Sequence, residues 1–212
     1  MTTWGSLRAD LRLELKDPNA TKWPDGLMYI YIKDALNDYS QYFPIRKYAV
    51  EIVIEEGETG YTLPEDFLKD VLVESPATTY LKRYQKTPGT QLLTRTTPRF
   101  YYIEGNKLFL NAPTDGQVFL TYDALHPTPA ALDDDTFVLT VPLRDEELIR
   151  LYIKAAAHGH IRGKSARLDR FKPVGTRDDN PLIPEVELTY QDYMAKIAER
   201  LGGKTHFLHR KR

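Results

Sequence analysis

The stretch Tyr61-Thr62-Leu63-Pro64-Glu65-Asp66-Phe67 lies in a region of the sequence where the hydrophobic period is that of β-structure. Just before it, apolar residues occupy every second position, which predicts a half-buried strand; they are Tyr48, Val50, Ile52 and Ile54. About forty residues after it, 100–104 and 107–111 flank Gly105-Asn106, a pair that favours a tight hairpin turn. The middle of the chain is therefore predicted to be β-rich.

Four further strands are predicted in this region, at 71–73, 79–84, 117–124 and 137–139. The last of them follows Asp133-Asp134-Asp135, which we interpret as a solvated turn. This acidic run lacks the spaced oxygens and the closing glutamate of a calcium-binding loop.

The N-terminal end has the period of two helices. Thr3 or Ser6 can cap the first, which is predicted to reach Lys16 and carries Leu7, Leu11 and Leu15 on its inner face. The second begins at Pro24 and ends at Pro44. Its apolar stripe consists of Met28, Tyr31, Ile32, Ala35, Tyr39 and Tyr42.

The helical period returns from Leu143. One face of the third helix carries Leu148, Leu151, Tyr152, Ala155 and Ala156, and we expect Gly159 and Gly163 to bound its end. Residues 164–183 have no period and are predicted to be a long loop. The last helix is predicted to open at Pro184 and to end at Gly202-Gly203.

These patterns predict an α+β fold in which a helical bundle carries an inserted antiparallel β-domain. The bundle comprises two N-terminal and two C-terminal helices, at 1–46 and 142–201, and the β-rich domain occupies 47–141. Residues 202–212 are predicted to form an extended basic C-terminal arm.

Composition excludes several classes of protein. There are no cysteines, so disulfides and thiolate metal sites are excluded, and a net charge of −1 gives no global attraction to nucleic acid. No apolar run reaches the roughly 18 residues that a membrane span requires, and the N-terminus lacks the features of a signal peptide.

Residues for catalysis are not evident in this sequence. His158-Gly159-His160 contains the closest pair of histidines; its spacing places the two side chains on different helix faces, and no further ligands complete a metal site. There is no phosphate-binding glycine loop and no nucleophile elbow. We therefore expect no enzymatic activity, no metal and no cofactor.

A basic stretch at 162–177 is the first candidate for binding. It contains six cations against one acid, Asp169: Arg162, Lys164, Arg167, Arg170, Lys172 and Arg177. Such a cluster can contact phosphates without sequence preference. The alternative is a solvated loop that pairs with acids on a neighbouring subunit.

The C-terminal tail is the second candidate. It contains no acid, and an apolar pair lies between its basic residues: Lys204, His206, Phe207, Leu208, His209, Arg210, Lys211 and Arg212. An apolar pair can anchor in a groove while the charges steer the approach. Composition alone favours a docking peptide and a disordered basic end equally.

Taken together, the motifs resemble those of the head–tail adaptor proteins of tailed bacteriophages, also called connector or head-completion proteins. The likeness extends over nearly the whole chain and depends on the order of short motifs. These are an early Trp4, the aromatic-Pro end of the second helix at 39–44, the motif at 61–67, Pro98 to Ile103, the strand leading to Pro113, and Val118 to Tyr122.

The resemblance implies a structural virion protein that forms a ring, usually twelvefold, on the portal. It implies that the C-terminal arm docks on the portal, that the distal part of the ring receives the tail or nozzle, and that viral DNA passes non-specifically through the lumen. Under this reading the protein has no membrane partner and is assembled in the host cytoplasm. The β-rich region is larger than in the compact helical adaptors, which leaves the tail type open.

Two other functions compete with this one. One is another neck or tail-completion protein of the virion with the same fold. The other is a nucleic-acid-binding module that uses the basic stretch at 162–177, which the neutral overall charge disfavours.

Overall fold

A computed structural model describes residues 2–52, 60–75, 80–85, 99–111, 117–169 and 182–202. The chain divides into two units. A helical unit comprises Met1–Tyr42 with His126–Arg212, and a β unit comprises Phe43–Leu125. The predicted α+β class is confirmed, since the described residues form four α-helices and two sheets.

The helical unit contains helices α1 (Trp4–Glu14), α2 (Asp25–Tyr42), α3 (Glu146–Asp169) and α4 (Leu182–Arg200), with a short 3₁₀ turn at Leu143–Asp145 before α3. Thr3 caps α1 by accepting a hydrogen bond from the Ser6 amide. The predicted inner face of α1 is buried, as is most of the predicted stripe of α2. No helix among the described residues is long and apolar enough to cross a membrane.

Helix α3 is enclosed by its neighbours within the helical unit. None of its residues between 148 and 159 is exposed. Arg150 on α3 forms ion pairs with Asp10 (2.7 Å) and Glu14 (2.9 Å) on α1. The Trp23 indole N–H donates to the Ala157 carbonyl at 3.0 Å. The α3 backbone is therefore held on more than one side.

The predicted end of the third helix was wrong. Its backbone remains helical through Gly159 and Gly163 to Asp169, so 164–169 is not a loop, and α4 already begins at Leu182. A glycine costs about 1 kcal/mol relative to alanine in a helix but does not stop it. The intervening residues include two arginines, a lysine, an alanine and a leucine, which are good helix formers. Residues 170–181 lie outside the described ranges.

The segment 126–142 runs along the start of α1. The Trp4 amide donates to the Phe137 carbonyl at 2.8 Å, and the Gly5 amide donates to the Asp135 carbonyl at 3.1 Å. The strand predicted at 137–139 is reduced to one bridge between Thr3 and Val138. This segment therefore satisfies two amides of the first turn of α1, which have no partner within the helix.

The β unit contains strands β1 (Ile45–Ile52), β2 (Tyr61–Thr62), β3 (Phe67–Glu74), β4 (Lys82–Arg83), β5 (Phe100–Glu104), β6 (Lys107–Leu110) and β7 (Val118–Ala124). One sheet has the order β1-β7-β3 and is antiparallel, and the other has the order β2-β6-β5-β4. Strands β4 and β5 run parallel, so the prediction of an antiparallel domain was wrong for that pair. The buried side chains of the β unit form one hydrophobic cluster.

The predicted alternation of β1 is interrupted by a bulge. Lys47 is registered with Tyr122 but Val50 with Leu120, so the two residues between them oppose Thr121 alone. The second of these, Ala49, has a φ of 46°, a left-handed conformation that costs a residue with a Cβ about 1–2 kcal/mol. Tyr48, predicted to lie on the inner face of this strand, is 73% exposed.

Candidate interaction surfaces

The motif at 61–67 forms a corner of the β unit. Tyr61 and Leu63 are buried. The Leu63 amide donates to the Asn106 carbonyl at 2.8 Å, and the Phe67 amide donates to the Pro64 carbonyl at 3.0 Å. The first bond fixes the turn of the β5–β6 hairpin against the motif, and the second closes the motif's own turn. The motif thus has a structural role.

Asp66 connects this corner to two strands. Its carboxylate accepts a hydrogen bond from the Tyr122 hydroxyl at 2.9 Å and lies 2.6 Å from Lys47 Nζ. Its carbonyl accepts from the Leu125 amide at 2.8 Å. Burial raises the pKa of Asp66, but the bonds from Lys47 and Tyr122 outweigh it, so the pKa falls below its ordinary value. Sequence reasoning missed this role of Asp66.

A second aspartate of the β unit has the same kind of environment. Asp70 accepts from the Tyr101 hydroxyl at 2.5 Å and pairs with Arg83 at 2.6 Å. Burial, followed by the bond to Asp70, raises the pKa of Tyr101. The tyrosine hydroxyl is therefore held protonated as a donor, and the sheets are joined by a polar contact inside the unit.

The helical unit repeats the arrangement. Asp145 accepts from the Tyr39 hydroxyl at 3.0 Å, and its other oxygen lies 3.0 Å from Arg200 Nε. Asp38 on α2 accepts from the Tyr193 hydroxyl on α4 at 2.5 Å. In both tyrosine–aspartate pairs the partners lie more than a hundred residues apart in sequence, so no local pattern could have identified them.

Tyrosine side chains therefore contribute to the interior of both units. Six are buried: Tyr31, Tyr39, Tyr61, Tyr101, Tyr122 and Tyr193. Three of the described tyrosines are more than half exposed, namely Tyr48 and Tyr80 in the β unit and Tyr190 on α4. A tyrosine can contribute a large contact area at low entropic cost, so these three are the candidates for contact with other proteins.

The structure divides the basic stretch. Arg162, Lys164 and Arg167 occupy backbone positions on α3, whereas Arg170, Lys172 and Arg177 lie outside the described residues. In a helix, positions 162 and 164 are separated by about 200°. The first three positions therefore do not follow one helix face, and contact of the basic stretch with phosphates or with a neighbouring subunit stays a prediction.

The C-terminal arm is not tested by the structure. The described chain ends at Gly202, whose φ of 74° follows the last turn of α4. All the residues predicted to dock, from Lys204 to Arg212, lie beyond it. Docking of the arm remains a prediction.

The predicted helix end at His158-Gly159-His160 is also corrected, because all three positions lie within α3. In the part of the chain that is described, no group of three or more His, Cys, Asp or Glu side chains could hold a metal ion. The acidic run at 133–135 is not merely solvated, since Asp135 pairs with Arg8 at 2.7 Å. The acidic run therefore has structural partners in the helical unit.

Comparison with protein-family models gives a match over residues 2–203, to the model described as SU10 adaptor protein. No curated protein matches the sequence. The matched range spans nearly the whole chain, including both units and all the elements described above.

Proposed function

Because the chain belongs to the SU10 adaptor protein family and is thus a structural component of a phage virion, we propose that it is the head-to-tail adaptor. In this proposal, copies of the chain form a ring, most simply a dodecamer, that docks on the portal protein. The ring provides the platform for the tail or nozzle protein, and the viral DNA passes non-specifically through its lumen. Assembly takes place in the host cytoplasm, without a cofactor.

The observation that carries this proposal is the extent of the family match. It covers 2–203 and therefore includes both units, so the likeness does not come from one common motif. The polar interior is consistent with a structural role, since the buried acids Asp145 and Asp70 have tyrosine and arginine partners. Acids paired in this way hold elements together through charge-assisted hydrogen bonds.

We propose that the basic arm at 202–212 attaches the ring to the portal. Burial of Phe207 and Leu208 contributes about 3–6 kcal/mol in total. Ordering each arm residue costs about 1–2 kcal/mol of backbone entropy, so one arm binds weakly. Identical arms around a ring act at high effective concentration, and together they give stable attachment.

The test is a binding experiment with portal rings of the same phage. Deletion of 203–212 should leave a folded protein that no longer sediments with the portal, and electron micrographs should show portals without an added ring. Replacing Phe207 and Leu208 by serine should accelerate dissociation. Replacing the arm's lysines and arginines by glutamine should instead slow association and reduce its dependence on salt.

The two replacement variants control for each other because they change the same segment by different chemistry. If the truncated protein binds the portal as tightly as the full chain, attachment through the arm is wrong. If the full chain itself forms no ring on the portal, the assignment as head-to-tail adaptor is wrong. A role elsewhere in the neck of the virion would then be preferred.

A further inference from the structure

The sheet β1-β7-β3 has a face directed away from the hydrophobic cluster of the β unit. On the central strand, Val118, Leu120, Tyr122 and Ala124 belong to that cluster. The alternate residues Phe119, Thr121 and Asp123 therefore define the opposite face. We call it the outer face, and its members on β1 and β3 follow from the strand register.

The outer face consists of three rows across the sheet. At one end Asp123 lies between Arg46 and Lys69, and at the other end Phe119 lies between Glu51 and Glu74. In the middle row, Thr121 lies between the bulge of β1 and Leu72 of β3.

Two exposed side chains flank the middle row, whose central Thr121 is only 8% exposed and accepts a hydrogen bond from the Ala49 amide at 3.1 Å. Tyr48 is 73% exposed, and Val71 on the other side is 42% exposed. Both occupy register shifts, Tyr48 beside the left-handed Ala49 and Val71 between the registered pairs of Asp70 and Leu72. Bulges change the direction of a side chain and recur at functional positions, and here they leave Tyr48 and Val71 exposed on either side of Thr121.

The two outer rows carry opposite charge. Arg46 and Lys69 outnumber Asp123, to which Arg46 is bonded at 2.9 Å, so the first row has a net positive charge. The other row contains Glu51 and Glu74 and no cation. A surface that is positive at one end, negative at the other and apolar between them is complementary to itself when one copy is turned end to end.

We propose that two copies of this chain pair through the outer faces of this sheet, about a two-fold axis that runs across the strands along the middle row. This axis places Tyr48 opposite Tyr48 of the second copy. It places Lys69 opposite the acidic end of β3, at Glu74, and Arg46 opposite Glu51. A two-fold axis along the strands would instead bring like charges together, so the charge pattern selects the first arrangement.

The small area of the outer face makes the association of two copies weak. Three strands about 4.8 Å apart and five residues rising about 3.3 Å each give a face on the order of 250 Å² per copy. Stable interfaces bury more than about 1,000 Å² in total. We therefore expect dimers to form only at high protein concentration and low salt.

The pair has a consequence for assembly, which rests on the proposed adaptor function. A two-fold contact uses the same surface on both copies and closes on itself, whereas a ring requires two different surfaces. Paired subunits therefore cannot extend a ring through this face. Subunits that are not yet assembled are stored as dimers, and each dimer dissociates when docking on the portal supplies stronger contacts.

Analytical ultracentrifugation of the full chain from about 10 µM to about 1 mM tests the pairing directly. At low salt we expect a monomer–dimer equilibrium with no larger species. Tyr48→Ser should weaken dimerisation at least about tenfold, while Tyr190→Ser, a change of a similarly exposed tyrosine on α4, should leave it unchanged.

A charge exchange tests the direction of the axis. Lys69→Glu alone places acid against Glu74 of the second copy, and Glu74→Lys alone places base against Lys69, so each variant should stay monomeric. Mixed in equal amounts, the two variants restore both opposite-charge contacts, and a heterodimer should form. Lys82→Glu, an exposed change of the same charge on β4, is the control for net charge.

The absence of cysteine permits a third measurement. Under mild oxidation, Tyr48→Cys should form a disulfide-linked dimer, and Tyr190→Cys should not. A chain that is monomeric throughout, larger oligomers in place of a dimer, or no recovery in the mixture would each overturn the proposal. Binding of Lys69→Glu to portal rings is measured separately, so failure of the adaptor function is distinguishable from failure of the pairing.

Discussion

Buried carboxylates organise the chain at the scale of single residues, and Asp17 shows how. It is 2% exposed in the connection between α1 and α2. Its carboxylate accepts hydrogen bonds from the amide and hydroxyl of Thr21 and from the amides of Lys22 and Trp23, at 2.7–3.0 Å. Burial raises the pKa of Asp17, but the four hydrogen bonds outweigh burial and lower the pKa to about 2.

We predict that Asp17 makes the stability of the protein depend on pH in a defined range. Its pKa is lower in the folded chain than the ordinary value of 3.8, so the folded state favours the ionised form. The stabilisation is complete above pH 3.8 and is lost as the pH falls toward 2. Asp17→Asn should therefore be less stable than the wild type at pH 6, because its NH2 group faces backbone donors.

Urea unfolding of both proteins from pH 6 down to pH 2 measures this effect. The difference in unfolding free energy between them should shrink over the lower part of this range. Thr21→Val, which removes one donor and keeps the carboxylate, is the matched control and should retain most of the pH dependence. A difference that stays constant with pH would contradict the role given to Asp17.

At the scale of elements, local periods predicted which segments are helices and strands, but not how they end or bend. The inner residues Leu7, Leu11 and Leu15 of α1 were found because helical spacing is visible in sequence. The continuation of α3 past Gly159 was missed, because a glycine weakens a helix without stopping it when the residues that follow are good helix formers. The bulge at Ala49 was missed because no glycine marks it.

The interaction surfaces were predictable to a smaller extent. The motif at 61–67 was assigned to the β-rich region, but its anchor, Asp66, depends on Lys47 and Tyr122 from distant strands. Such pairing is set by register, and one shifted residue reverses the face on which a side chain lies. That is why Tyr48 was placed on the inner face from the alternation alone.

Replacing two helical glycines by alanine tests how closely α1 and α3 approach neighbouring residues at these positions. Gly159 lies within α3, and a Cβ built there meets nothing within 4 Å. Gly159→Ala should therefore raise the unfolding free energy by about 0.5–1 kcal/mol. Gly5 lies in the first turn of α1, where a Cβ would lie 2.8 Å from Asp135 Cβ and 3.0 Å from its carbonyl. Gly5→Ala should destabilise by about 1–3 kcal/mol.

Chemical unfolding of the two variants, followed by circular dichroism, checks both signs. The prediction from sequence alone, with the helix ending at Gly159, requires the opposite result for that residue, since alanine is strained in a left-handed helix cap. Destabilisation by Gly159→Ala would therefore restore the original prediction. A neutral Gly5→Ala would show that the segment 126–142 moves away from α1 at little cost.

At the scale of the whole molecule, the chain leaves and re-enters the helical unit at positions that lie close together. The His126 amide donates to Ser40 Oγ at 2.9 Å, and the rings of Tyr39 and His126 are 5.1 Å apart. Within the β unit, Ile45 and Ala124 are registered partners at the ends of β1 and β7. Both units thus have adjacent ends, as an inserted domain requires.

We predict that each unit folds alone when the chain is cut at these ends. Replacing 43–125 by a linker of about four glycine and serine residues should give a helical protein that unfolds cooperatively. The fragment 43–125 should fold as a β protein, since its buried cluster is formed by its own strands. Circular dichroism and thermal unfolding measure both outcomes.

The matched control is a deletion of 47–141, the range that the sequence predicted for the β-rich domain. This deletion also removes the segment 126–141, including the Phe137 and Asp135 carbonyls that accept from the Trp4 and Gly5 amides. It leaves the first turn of α1 without these partners and exposes Trp4 and other core residues, so the product should not fold. Equal folding of both deletions would show that 126–141 contributes little to the helical unit, and failure of both would show that the helical unit depends on the β unit for stability.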